Sequence, residues 1–327
     1  PVNMGNPPNI DDQNFIGSAT SDKQSIAFSS NPSVSTGSEN TKIYIARKKQ
    51  GKWEIVDELD FFPGKKGWGY NIFSGEFDLE THVNMHNPFI TADGAKLFFT
   101  SNCVDGYGVN DIYMSEKGTD GKWGPAQNLG PEINTRYMEA SPFLHPDNKT
   151  LYFVSNGHPG IGKLDVYKSV LNNGKWSTPE LIGEPISSPA VEISFTMDAK
   201  GETAYFTSDR IKEADSDIYM TPVPKSAKPA EGVLLLTVRV TDGLNDNPLE
   251  ADITVEDIRT GKVIAKFQSD FNTGYYSVSM PRGAEYSVSV NKEGYTFNSI
   301  NMDISSGTEH DEKEKNFELF SIKSGTK

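Results

Sequence analysis

The chain has 327 residues, 35% of them hydrophobic and 11% aromatic, with a formal net charge of −14. That length holds two domains with a sizeable core and no need of disulfides. The acidic balance argues against binding nucleic acid by phosphate neutralisation, which needs clustered Lys and Arg, and no apolar run approaches the roughly 20 residues of a membrane-spanning helix.

In chain order, Pro1-Val2-Asn3-Met4-Gly5 is similar to Ala126-Gln127-Asn128-Leu129-Gly130 and is expected to form a lone outer strand. Pro1 is not an initiator methionine and no charged start precedes an apolar stretch, so a signal peptide is expected to be removed or to lie outside this chain. A repeated unit follows, clearest at 141–169. It contains three short runs of strand character at 142–145, 150–155 and 164–169, separated by a Pro-Asp-Asn-Lys turn and a Gly-rich loop, with a fourth run from Trp176. The same order recurs at 87–90, 97–101, Asp111-Ile112-Tyr113 and Trp123, and again at 193–195, 204–208 and Asp217-Ile218-Tyr219. A worn first copy holds 26–30, 42–44 and Trp53. Tyr44, Tyr113, Tyr167 and Tyr219 mark a register with spacings of 69, 54 and 52 residues.

A period near 50 residues with four strands each is the signature of a β-propeller, because one four-stranded sheet cannot bury both faces alone. Four repeats are recognisable, so the ring is expected to have four or five blades over residues 1–222. The last copy runs into Pro222, Pro224 and Pro229 without a Trp-led fourth strand, and the N-terminal strand is expected to complete it. The long first spacing places an insertion at 61–85, read as a projecting hairpin or a cover over a blade edge. Residues 223–232 have the composition of a linker. Alternating runs at 233–240, 251–256, 263–267, 274–280, 286–291 and 316–320 predict a small β-sandwich over 233–320, followed by a tail at 321–327. The charge run at 309–315 reads as a solvated edge or turn. The fold class is therefore all-β.

For chemistry, Asp111, Asp165 and Asp217 recur at one place in each copy, which points around a ring rather than to one centre. Each is expected to bind loop amides beside its strand. Trp53, Trp123 and Trp176 are expected to pack between blades. His82 and His86 have metal spacing only on a helix, which Asn84, Asn87 and Pro88 disfavour, and His145 sits in a turn. The stretch 105–111 lacks the distal Glu of a calcium loop. Gly-x-Ser-x-Gly and His-Glu-x-x-His are absent, so no enzyme, cofactor or metal is expected. Cys103 is expected to be a small core residue. Contact residues for a ligand or partner are sought in the insertion and the Gly-rich loops: Trp68, Tyr70, Phe73, Tyr107 and His158.

The stretch from Asn128-Leu-Gly-Pro-Glu-Ile-Asn-Thr through 139–169 resembles the propeller repeat of multidomain OmpA-like envelope proteins of Bacteroidetes-type bacteria. Val240-Thr-Asp-Gly, Thr273-Gly-Tyr-Tyr, Met280-Pro-Arg-Gly and Glu293-Gly-Tyr-Thr-Phe are similar to the carboxypeptidase-regulatory-like domain that follows it in them. The resemblance covers most of the chain. It implies a periplasmic scaffold attached to the outer membrane, with other envelope or type IX secretion proteins as partners. It also implies that peptidoglycan is reached only through a further C-terminal domain not in this chain. The worn first copy and the insertion depart from the pattern.

Overall fold

A computed structural model describes residues 14–20, 24–30, 41–49, 52–71, 76–80, 83–118, 120–212, 215–304 and 311–322. The chain divides into two compact units, Pro1–Ala230 and Glu231–Lys327. Both are all-β.

The first unit is a propeller with four blades among the described residues. Blade 1 is β1 (Asn14–Ala19), β2 (Ser25–Ser30), β3 (Lys42–Lys49) and β4 (Lys52–Leu59), each antiparallel to the next. The hairpin of β5 (Gly67–Asn71) and β6 (Glu76–Glu80) is the insertion. Blade 2 is β7 (Met85–Ile90), β8 (Lys96–Ser101), β9 (Asp111–Glu116) and β10 (Gln127–Asn128). Blade 3 is β11 (Glu139–Leu144), β12 (Thr150–Ser155) and β13 (Asp165–Asn172), edged by β14 (Lys175–Trp176) and β15 (Glu180–Leu181). Blade 4 has three described strands, β16 (Glu192–Met197), β17 (Thr203–Lys212) and β18 (Asp215–Pro222).

Residue pattern explains this arrangement. Every residue of β12, TLYFVS, is buried, because a second strand packs both faces against neighbouring blades. Side chains of opposite parity then serve opposite interfaces. Ile43 and Ile45 of blade 1 meet Leu97 and Phe99 of blade 2. Phe98 and Ile112 of blade 2 meet Leu151 and Phe153 of blade 3, and Tyr152 and Val154 of blade 3 meet Phe195 and Phe206 of blade 4. Trp123 and Trp176 are half-buried against these clusters, whereas Trp53, expected between blades, packs on Ile26, Phe28, Tyr44 and Ala46 of its own blade 1. The turns between first and second strands are fixed by side chains: Asp147 accepts from the amides of Lys149 and Thr150 and from the Thr150 hydroxyl.

Three features differ from the sequence expectation, and a fourth expectation falls outside the described residues. Blade 1 has a complete inner strand, β1, hidden in the worn repeat because the apolar alternation there is weak. The outer strand of blade 3 is not one run from Trp176 but two short pieces on either side of Ser177-Thr178-Pro179. The segment read as a linker is packed on the propeller: Ala227 is fully buried, the Tyr152 hydroxyl donates to its carbonyl at 2.7 Å, and Lys168 Nζ donates to the Ser226 carbonyl. The outer strand expected at residues 1–5 lies outside the described residues.

The second unit is a sandwich of two sheets. One has the order β22 (Tyr275–Pro281), β19 (Val233–Asp242), β25 (Asp311–Leu319); the other runs β21 (Lys262–Gln268), β20 (Asp252–Asp257), β23 (Glu285–Asn291), β24 (Asn298–Asp303). Period-2 alternation gives each strand one inward face, and Leu236, Val238, Ile253, Val255, Val288 and Phe317 fill the core. β25 pairs parallel to β19 and is exposed over 311–316, so the described part of the charge run, 311–315, lies on a solvated edge strand. β24 is a strand the sequence reading did not mark.

Candidate functional site

Each inner strand carries a break in register at the same place, between Ile16 and Ser18, His86 and Phe89, Ala140 and Phe143, and Ile193 and Thr196. In three of them the bulged residue is left-handed: Asn87 at φ 47°, Ser141 at φ 50° and Ser194 at φ 54°. None is glycine, two precede proline, and the left-handed region is unfavourable for such residues. The repeated strain turns the bulges onto one place. Gly17, Ser18, Asn87, Pro88, Ser141, Pro142, Ser194 and Thr196, with Phe89, Phe143 and Phe195, line a single cavity of about 230 Å3 bordered by all four inner strands.

Packing of β1 against β7 holds the first wall. The Ser18 hydroxyl accepts from the Ile90 amide at 2.7 Å and donates to its carbonyl, and the approach at Gly17 is so close that a Cβ there would fall 1.6 Å from the Pro88 carbonyl oxygen. Phe89 and Phe143 meet edge to face with centroids 5.4 Å apart. The lining contains hydroxyls, one carboxamide and aromatic edges but no ionisable group. Such a surface selects an uncharged ligand with hydrogen-bonding groups.

At the end of the blades where the inner strands begin, the loops are rigidly held. Asp111 accepts from the amides of Tyr107 and Gly108 and from Asn128 Nδ2, and Asp165 accepts from those of Ile161 and Gly162 at 2.8 Å each. Both carboxylates are buried, and burial raises the Asp111 carboxyl above its ordinary range. This is the loop-capping role the repeat implied. Asp217 departs from it: it stands within β18 opposite Ser208 of β17 and is exposed. Each capped loop leans on the next blade, with Val109 N donating to the Tyr137 carbonyl and Lys163 N to that of Ala190. The loops thereby present Tyr107 (52% exposed), Tyr137 (38%) and Ile161 (49%), with Arg136 stacked on the Tyr137 ring.

The five residues singled out by sequence divide accordingly. Tyr107 is on this surface. Trp68 is half-buried in β5, whose backbone is docked on blade 2 by Trp68 N to Asn102 O at 2.8 Å and Asn102 Nδ2 to Trp68 O at 3.0 Å. Lys65 pairs with Asp105 at 2.8 Å. The insertion is therefore a hairpin anchored beside the Tyr107 loop. Tyr70 is in β5, Phe73 lies outside the described residues, and nothing further is assigned to either. His158 is half-buried in blade 3: Nε2 lies 2.9 Å from the Ile133 carbonyl, and the ring packs on Phe153 and Tyr167. That is a loop-packing role.

His86 lies on a strand, where four-residue spacing puts side chains about 13 Å apart, and His82 is outside the described residues. Among the described residues no group of three or more His, Cys, Asp or Glu is placed to hold a metal. The cavity residues were missed by sequence reading. Their signal was the recurrence of Asn87-Pro88-Phe89 and Ser141-Pro142-Phe143 at one repeat position, read only as strand.

No protein-family model matches the chain, and no curated protein matches it. Among solved structures it is similar to TolB from Acinetobacter baumannii, at 13% identity over 91% of this chain and 56% of that one, with a TM-score of 0.41. It is also similar to a TolB homologue from Agrobacterium tumefaciens, at 16% identity over 80% and 73%, TM-score 0.36. A puromycin-hydrolysing peptidase of Mycobacterium tuberculosis matches at 11% identity over 94% and 53%, TM-score 0.38. The chain spans little more than half the length of the first and last of these.

Proposed function

We propose that this chain is a non-catalytic scaffold and protein-interaction module of an outer-membrane-associated complex in the periplasm. In this reading it resembles PorE of the type IX secretion system, with the link to peptidoglycan made through a further domain. The observation that supports it is the set of exposed Tyr107, Tyr137 and Ile161 on loops clamped by buried carboxylates, since large side chains that pay little entropy on docking make strong contacts. The test is affinity capture from envelope extract, read by mass spectrometry, with the whole chain as bait beside a Tyr107→Ala/Tyr137→Ala variant of unchanged melting temperature. Recovery of outer-membrane secretion components, reduced at least tenfold by the variant, is the expected result. Equal recovery of the same proteins by both baits removes this surface as the contact.

The uncharged cavity favours a second reading, a glycan- or peptide-binding propeller. Heat stabilisation by neutral oligosaccharides or peptides, and none by their charged counterparts, would distinguish it.

A further inference from the structure

Strand pairing in the second unit brings three of its loops and its last described residues to one end. β19 finishes there at Asp242, and the parallel β25 at Leu319. The chain turns back at that end through 243–251, 269–274 and 292–297, because Asp252 stands opposite both Gln268 and Asn291, and Arg239 opposite Tyr275. These segments carry Leu244 (70% exposed), Phe271 (70%), Phe297 (64%), Phe320 (44%) and Ile322 (62%). At the other end the described turns 258–261 and 282–284 leave one large apolar side chain exposed, Ile258 at 39%. Apolar exposure gathered in this way marks a contact surface.

Hydrogen bonds between the segments fix this surface. Buried Asp242 accepts from the Leu244 amide at 2.8 Å and from the Tyr295 hydroxyl at 3.0 Å, tying the end of one sheet to that of the other. Thr296 N donates to the Phe320 carbonyl and Ile322 N to the Gly294 carbonyl, while Phe320 N donates to Thr296 Oγ1. A Cβ on Gly243 would fall 2.5 Å from the Phe320 ring, so that ring lies against the turn that carries Leu244. Leu244, Phe297, Phe320 and Ile322 are therefore neighbours on a backbone already ordered, which lowers the entropy lost on docking. The surrounding charge has one sign. Segments 242–251, 269–274 and 292–297 hold five acidic residues against a single base, Lys292. Lys292 Nζ is occupied by the Glu250 carbonyl at 2.6 Å, and the neighbouring Arg239 is shared between Asp246 and the Tyr275 ring.

We propose that this end of the second unit docks a cationic segment of another protein, its apolar side chains against Leu244, Phe297 and Phe320 and its Lys or Arg side chains against the exposed Asp246, Glu250 and Glu293. Charge selects this occupant over two others. The acidic rim repels anionic lipid headgroups, and it repels the same rim on a second copy of the chain, whereas a cationic partner is drawn to it. The surface lies in the unit that does not carry Tyr107, Tyr137 and Ile161, so it is a second docking site, independent of the propeller loops.

The experiment uses the whole chain and a fluorescent synthetic peptide that alternates Leu and Lys and carries one benzophenone. The peptide binds, more weakly as salt is raised, and on irradiation cross-links within 242–251, 292–297 or 320–322; a peptide alternating Leu and Glu does not bind. Leu244→Ser/Phe297→Ser, at exposed positions and with unchanged melting temperature, weakens binding about tenfold, and Glu250→Lys/Glu293→Lys does the same. Absence of binding, unchanged affinity in either variant, or cross-links confined to the propeller unit overturns the proposal. Binding to phosphatidylglycerol vesicles that Leu244→Ser/Phe297→Ser abolishes would also overturn it and assign the surface to lipid. Dimerisation abolished by the same variant would overturn it in favour of a second copy.

Discussion

Glu139 Oε1 accepts from Ser155 Oγ at 2.7 Å inside blade 3, and Glu192 Oε1 accepts from Ser208 Oγ at 2.9 Å inside blade 4. Thr135 closes the first pair through both its amide and its hydroxyl, and Ser188 does the same for the second. In blades 3 and 4 a fully buried carboxylate thus ties the entry loop to the end of the second strand. In blade 2 the equivalent position is Met85, opposite Ser101.

Glu139→Ala leaves two hydroxyls and an amide buried without their acceptor, and we expect a loss of about 2–4 kcal/mol in denaturant unfolding. Burial raises the Glu139 carboxyl above its ordinary 4.5. The folded state therefore holds this proton more tightly than the unfolded chain. The contribution to stability is full below pH 4.5 and is lost as pH rises through the folded value. Glu139→Gln removes this pH dependence, and melting curves across that window check the sign.

Asn128 donates to Asp111 at 2.7 Å and accepts from Asn134 Nδ2 and the Gly130 amide. Asn128→Leu copies the residue that blade 3 carries at this position, Leu181, so it fits sterically. It costs about 2–4 kcal/mol because three partners lose their bond. Hydrogen exchange of the Tyr107 loop amides accelerates in the same variant, since Asp111 is no longer held.

A Cβ on Gly162 would fall 2.1 Å from the Ser188 carbonyl oxygen of the next blade. Backbone cannot retreat as a flexible side chain does, so Gly162→Ala destabilises by about 1–3 kcal/mol. Gly108→Ala, with its Cβ 2.2 Å from the Thr135 carbonyl oxygen, behaves alike. Equilibrium unfolding of both tests whether the blade junctions need this close approach.

Cys103 is 1% exposed, and burial raises its thiol above the ordinary range. It should react with an aromatic disulfide reagent only on unfolding, so reaction rate plotted against denaturant should track the unfolding transition. Rapid labelling of the native protein would show that the loop at 101–105 opens.

The sequence by itself determined the repeat, the order of the two domains and the roles of Asp111 and Asp165. These follow from local rules: a strand buried on both faces needs a continuous apolar run such as Leu151-Tyr152-Phe153-Val154, and a tight loop beside it needs an acceptor for its amides. The strands of the sandwich other than β24 were legible for the same reason, because alternation is a nearest-neighbour property.

What only the tertiary structure decided are relations between repeats. Asn87, Ser141 and Ser194 are unremarkable within their own strands; it is their common left-handed turn toward one cavity that makes them a site. His158, exposed to suspicion by its Gly-rich loop, is occupied by the Ile133 carbonyl 25 residues away. The proline-rich stretch after β18 has the composition of a tether, yet Tyr152 holds it through a carbonyl 75 residues distant. Composition reports what a segment is able to do alone, whereas burial of a polar group is settled by whichever distant partner the ring brings within hydrogen-bonding reach.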